Sequence, residues 1–280
     1  MQPSLAAIGL IIIGDEILSG KRADKHLPKV VKLLAARGLQ LAYAETVGDD
    51  PARITATLAR AFAAAKNTGD IVFSCGGIGA TPDDHTRQCA AAALDVGLAL
   101  HPEAKILITQ RMQDTAQEQG AVFDADRPDN IHRLNMGVFP LGCEIIPNPY
   151  NKIPGFRCAA GTAGIGAVHF VPGFPVMAWP MIEWVLDTHY PHLHQKAAYT
   201  EKSIIVMGSM EATLTPLMEA LEAQHPGIRV FSLPSVDHPE YGRHIELGVK
   251  GAPAMVQSAY AQMLIGLHSF GLRLGPELVR

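Results

Sequence analysis

The chain has 280 residues, with 48% hydrophobic and 18% charged side chains, enough for a full core and for two domains. A formal charge of −4 argues against a nucleic-acid-binding surface, and no apolar run reaches membrane-spanning length. Four cysteines without a C-x-x-C pair indicate neither a zinc site nor a disulfide framework, and Met1–Ser4 lacks the basic start of a signal peptide, so a cytoplasmic protein with reduced thiols is expected.

Leu5–Ile13 is a nearly continuous apolar run, the pattern of a strand buried on both faces of a parallel sheet. It ends in the polar turn Gly14–Arg22. Asp24–Arg37 carries Leu27, Val30, Val31, Leu33 and Leu34 at helical spacing, and Gly38 is a natural stop. Leu39–Val47 reads as a second strand. Asp50 and Pro51 then supply an N-cap and a first helical residue for a helix reaching about Lys66. Asp70–Ser74 reads as a third strand, leading into Cys75-Gly76-Gly77-Ile78-Gly79-Ala80-Thr81-Pro82-Asp83-Asp84 and a helix over His85–Leu94. Further helices are expected over Pro102–Gln119 and Met181–His189, and further strands over Cys143–Ile146 and Gly166–Val171. Pro191–Lys196 breaks the pattern as a linker. Beyond it come a strand (Tyr199–Met207), a helix (Ala212–Gln224), two strands (Ile228–Leu233, Gly242–Val249) and a helix (Ala254–Phe270).

Alternation of strands and helices implies an α/β fold, a three-layer, mostly parallel sheet with helices on both faces, spanning residues 1–190. Residues 197–272 form a small α+β domain. Ligands on such sheets sit beyond the carboxyl ends of the strands. The polar segments 14–22, 48–51 and 75–85 all follow strands and are expected to converge on one edge.

The glycines of the 75–84 loop remove Cβ atoms where a backbone could approach a ligand, and Thr81, Asp83 or Asp84 could cap the next helix. Strand, glycine turn, helix N-terminus and paired carboxylates together point to a phosphate site with room for a divalent cation. A tight βα turn with a capping Asp is the competing reading. Acidic pairs after three consecutive strands (Asp15-Glu16, Asp49-Asp50, Asp83-Asp84) raise the odds of function, since a metal ion would let carboxylates coexist with phosphate. Gly14–Arg22 is not a P-loop: five residues separate Gly14 from Gly20, and Arg22 follows Lys21. Gly77-Ile78-Gly79 lacks the third glycine of a dinucleotide fingerprint. The twelve histidines show no zinc spacing, and Ser74 lies outside any nucleophile elbow. Cys75 reads as a small buried residue.

Gly14–Gly20, Val47–Asp50 and Gly76–Thr86, with Asn148-Pro149…Pro154-Gly155 and Pro172-Gly173-Phe174-Pro175, resemble the molybdopterin-binding domain of molybdenum-cofactor biosynthesis proteins. They are most similar to the N-terminal part of competence/damage-inducible protein A, and the resemblance extends to residues 199–270 as its small KH-like domain. It implies a phosphorylated ligand, molybdopterin or adenylylated molybdopterin, or an adenine nucleotide, with Mg2+. Two activities come with it: molybdenum-cofactor biosynthesis, and metal-dependent hydrolysis of ADP-ribose-type pyrophosphates. A non-catalytic binding or assembly module is the alternative. The resemblance places the phosphate on Gly76, Gly77, Gly79 and Thr81, the near wall at Asp15 and Glu16, and further ligand contacts at Asn148, Pro172 and Gly173. Asp49 and Asp84 match the catalytic acidic positions, and Asp83 and Asp84 those nearest a metal. A homo-oligomer is expected, with no nucleic-acid or membrane partner. Val176–Trp179 stand where the family has Ser and Glu, which alters the walls around the ligand. Deamidation is not expected, because the family's deamidase domain is absent from this sequence.

Overall fold

The computed structural model describes residues 6–160, 166–194 and 200–279. The start of the first apolar run at Leu5, the linker residues Gln195 and Lys196, and Tyr199 lie outside the described residues. The chain divides into two compact units on either side of His194.

In chain order the first unit contains β1 (Ile8–Ile13), α1 (Asp15–Leu18), α2 (His26–Ala35), β2 (Tyr43–Val47), α3 (Pro51–Thr68), β3 (Ile71–Cys75) and α4 (Thr86–Leu94). There follow β4 (Leu98–Leu100), α5 (Pro102–Glu118), α6 (Pro128–Arg133), β5 (Val138–Pro140), β6 (Glu144–Ile146), β7 (Gly155–Ala159), β8 (Ala167–Val171) and α7 (Pro175–His189). The main sheet has the order β2-β1-β3-β8-β7-β6, parallel from β2 to β8 and antiparallel across β7 and β6.

The apolar run in β1 is explained by burial on both faces. Ile11 and Ile13 pack with Ile54, Leu58 and Phe62 of α3, whereas Ile8, Leu10 and Ile12 pack with Val30 and Leu34 of α2 and with Val185 of α7. These two cores make the expected three layers. Phe156 of β7 stacks between Phe139 and Phe170, with ring centroids 4.6 and 4.3 Å away.

Helix α3 starts as its sequence dictates: Asp50 accepts the Arg53 N–H at 2.8 Å, Pro51 is the first helical residue, and left-handed Gly69 closes it. Boundaries depart from the sequence reading in several places: β2 begins at Tyr43, not Leu39, and the strand read as ending at Leu233 runs on to His238. Segment 14–22 contains the single turn α1. Helix α7 begins at Pro175, where Phe174 is extended and Pro175 needs no N–H partner, and continues through Pro180. Strand β7 carries no separate sequence signal, because Gly155 opens it directly after the 148–154 turn.

The second unit is a four-stranded antiparallel sheet, β10 (Arg229–His238), β11 (Gly242–Gly251), β9 (Thr200–Met207) and β12 (Arg273–Val279) in that order, with α8 (Glu211–Gln224) and α9 (Pro253–Ser269). Its core joins Val206, Leu247 and Val249 to Leu214, Tyr260 and Met263. Strand β12 adds an edge that the sequence reading ended short of. Among the described residues no helix is long and apolar enough to cross a membrane.

Candidate functional site at the carboxyl edge of the sheet

Strands β1, β2 and β3 run parallel, so the segments that follow them emerge on one edge, as their order predicts. The first two are tied directly. The Asp15 N–H donates to Asp49 Oδ2 at 2.8 Å, and the Asp49 N–H donates to Asp15 Oδ1 at 3.1 Å. Asp15, Glu16, Asp49 and Asp83 then line one cleft of about 620 Å³, together with Lys21. The three acidic pairs thus each contribute to a shared wall, and Asp50 alone serves as a cap.

Burial holds the Asp49 carboxyl above its ordinary range, and the charges of Asp15, Glu16 and Asp83 push the same way against the lowering effect of the Asp15 N–H. A carboxyl whose native value is raised favours the folded state when protonated, and that contribution is lost as pH rises through the raised value. Asp49→Asn keeps an oxygen for the Asp15 N–H and removes the charge. It is expected to raise the thermal midpoint at pH 7 by about 1–2 °C, with the gain vanishing as pH falls below the carboxylate range. A thermal melt series from pH 3 to 8 checks both the sign and the convergence.

The 75–84 loop is built from the inside. Its glycines are required by the protein's own packing: Gly76 (φ 111°) and Gly77 (φ 68°) are in the positive-φ region, and an added Cβ would lie 2.3 Å from the Ile13 carbonyl oxygen or 2.1 Å from the Thr86 hydroxyl. At Gly79 the space is taken by the Asp84 carboxylate. Gly76 is anchored by its N–H to Val171 O, and Thr86 donates from its N–H to Gly77 O and from its hydroxyl to Gly76 O.

Asp84 does not cap α4, and neither do Thr81 or Asp83. The residue before the helix is His85, which makes no side-chain capping bond. The Asp84 carboxylate turns back into the loop and accepts the Gly79 N–H at 2.9 Å, the Thr81 N–H at 2.8 Å and the Thr81 hydroxyl at 2.5 Å. Asp83 is exposed at the loop tip. Among the described residues, the N–H groups of Gly77, Ile78 and Ala80 have no protein acceptor.

The two later segments brace the site. Gly173 lies against the loop, its Cβ position 3.4 Å from the Gly76 Cα, and its carbonyl meets His26 Nε2 at 2.9 Å. Pro172, half-buried, leads into it from β8. Asn148 is buried and fastens its own turn, donating to Asn151 Oδ1 and Ile153 O and accepting the Tyr150 N–H. It lines neither cleft at the loop.

The sequence reading missed three residues that hold this region. Arg87, 5% exposed, donates through Nη1 to the carbonyls of Ile78 and Gly79. His132 meets Ala80 O through Nε2 at 2.9 Å, and His26 holds the Gly173 turn. A signal for Arg87 was present: a cation in the first turn of a helix opposes the helix dipole and so needs a specific reason to be there. The histidines sit far from the loop in sequence and offered none.

Among the described residues, no three His, Cys, Asp or Glu side chains converge as a metal cage. All four cysteines are free and buried, and burial pushes the Cys143 thiol up to about 11, so none is a ready nucleophile.

A parallel core sheet with its polar loops gathered past the strand ends is the layout of an α/β protein that holds a small ligand at that edge. The family described as probable molybdopterin binding domain matches residues 9–195, and the chain belongs to it. A CinA-like protein of Geobacter sp. (strain M21) is 29% identical over 254 residues, 90% of this chain and 56% of that protein. Protein TV0584 of Thermoplasma volcanium is 27% identical over 225 residues, 80% of this chain and 79% of its own length. The crystal structure of the protein CinA with unknown function from Thermoplasma acidophilum gives a TM-score of 0.52 at 26% identity, covering 65% of this chain and 96% of that one. The chain therefore spans little more than half the length of the Geobacter relative. These matches bear out the resemblance drawn from the loop motifs.

Proposed function

We propose that the first unit binds a phosphorylated pterin, molybdopterin or its adenylylated form, or an adenine nucleotide, with the Gly76–Asp84 loop against the phosphates. The observation that supports this most is the set of loop N–H groups at Gly77, Ile78 and Ala80 that lack a protein acceptor, beside the N-terminus of α4. Family membership supports the pterin; the acidic cleft supports a metal-assisted ligand.

The donor set does not suit a cation held by protein alone. It suits hydrated Mg2+, which takes one or two carboxylates and completes its shell with water and phosphate oxygens. Asp83, exposed at the cleft, and Asp49 would hold it, and the ion when bound would neutralise phosphate charge. Lys21 on the same cleft would add a second positive contact. Asp84 would act by keeping the loop in shape.

The four-carboxylate cleft favours a second reading, metal-dependent hydrolysis of a dinucleotide pyrophosphate. Incubation with ADP-ribose, FAD and ATP, with Mg2+ or EDTA, and chromatography of the products separates the two. Metal-dependent AMP that disappears in Asp83→Asn establishes hydrolysis. Absence of turnover, with a thermal shift on adding molybdopterin, establishes binding, and absence of both refutes the two readings together.

A further inference from the structure

A second cavity, of about 380 Å³, adjoins the same loop and, unlike the acidic cleft, sets one carboxylate against a guanidinium and several neutral polar groups. The neighbouring carboxylates Asp83 and Asp84 divide between the two, Asp83 lining the acidic cleft and Asp84 this one. Among the described residues Asp84 is the one acidic side chain lining it, and that charge is already met by two N–H groups and a hydroxyl of the loop. The remaining chemistry is cationic or donor-rich: Arg87, Gln88 and His85 from the start of α4, and His132 and Asn135 from the segment that crosses the loop.

Arg87 is the buried cation on this wall. A buried guanidinium ordinarily has a carboxylate partner, because its charge is costly to remove from water. Arg87 meets only two carbonyl oxygens, both through Nη1. Its Nε and Nη2 donors have no protein acceptor among the described residues, yet they are not sealed from solvent. Burial lowers its affinity for its proton, and the Asp84 carboxylate on the same cavity works against this without an ion pair to Arg87 among the described residues.

Around it the wall is set in place. His132 Nε2 lies 2.9 Å from the Ala80 carbonyl, which can only accept, so the proton sits on Nε2. Nδ1 is then free to accept from Asn135 Nδ2 at 3.4 Å. The first turn of the nine-residue α4 adds the positive end of its dipole.

We propose that this cavity is an anion subsite, taking the terminal phosphate monoester of the ligand or another tetrahedral dianion, held by the open guanidinium donors of Arg87. The acidic cleft then takes the part of the ligand that carries a cation. The assignment deepens the binding reading above and rests on it for the identity of the ligand, not for the subsite itself.

The test is calorimetric titration of inorganic phosphate into the full chain at fixed ionic strength. Gln88→Glu places a carboxylate on the cavity wall from an exposed position and is expected to weaken phosphate about tenfold. Asn135→Asp, exposed on the opposite wall, is expected to do likewise, so the result does not depend on one variant folding. Lys66→Ala removes a cation that lines neither cleft and is expected to leave phosphate affinity within about twofold. The reverse pattern, or no saturable phosphate binding by the unaltered chain, overturns the subsite. If phosphate binds in this pattern while neither pterin nor nucleotide binds, the subsite stands and the functional reading falls.

Discussion

Replacing Gly76 with alanine is expected to destabilise the first unit by about 3–5 kcal/mol, adding positive-φ strain to an overpacked contact. The clash is with the Ile13 carbonyl oxygen, a backbone atom of β1 that cannot swing aside. Gly20→Ala is the matched control. Gly20 also has a positive φ, 73°, but an added Cβ meets nothing within 4 Å, so about 1 kcal/mol is expected. Both tryptophans, Trp179 and Trp184, lie in α7, so urea unfolding followed by their fluorescence reports the first unit alone. Equal losses for the two variants would show that the loop does not depend on its approach to β1.

Asp84→Ala removes the acceptor of three donors at once, and a loss of about 2–3 kcal/mol is expected, together with phosphate binding. Asp84→Asn retains one oxygen but presents an NH2 group to donors, so it is expected to fall between the two. The contrast matters for role. A carboxylate that served mainly to touch ligand or metal would leave unfolding unchanged on conversion to Asn and alter only binding. Urea midpoints and phosphate affinities measured on the same variants distinguish a loop-holding Asp84 from a ligand-touching one.

The elements of the parallel half of the sheet were legible because their signals are local. The apolar run ending at Ile13, the cap at Asp50 beside Pro51, and the stop at Gly38 each act within a few residues of themselves. Strand β7 was not legible. Its place depends on pairing with β8 on one side and β6 on the other, and its neighbours in sequence are turn residues that mask the pattern. The early start of α7 was hidden by two prolines whose acceptability depends on where the helix begins.

The site divides in the same way. Sequence order alone determined that three acidic segments would reach one edge, since parallel strands must present their following loops together. It also determined the loop's motif and, through that motif, the family. Only the tertiary structure decided what each group does there. Asp15 and Asp49, 34 residues apart, hold one another's N–H groups; Asp83 and Asp84, adjacent, line different cavities. The spaces beside the loop glycines are filled by the protein's own atoms, and Arg87, which the sequence reading passed over, is buried with no ion pair among the described residues. The physical reason is the range of the forces involved: backbone preference and hydrophobic period act along the chain, whereas hydrogen-bond geometry and charge compensation act through space between segments that only folding brings together.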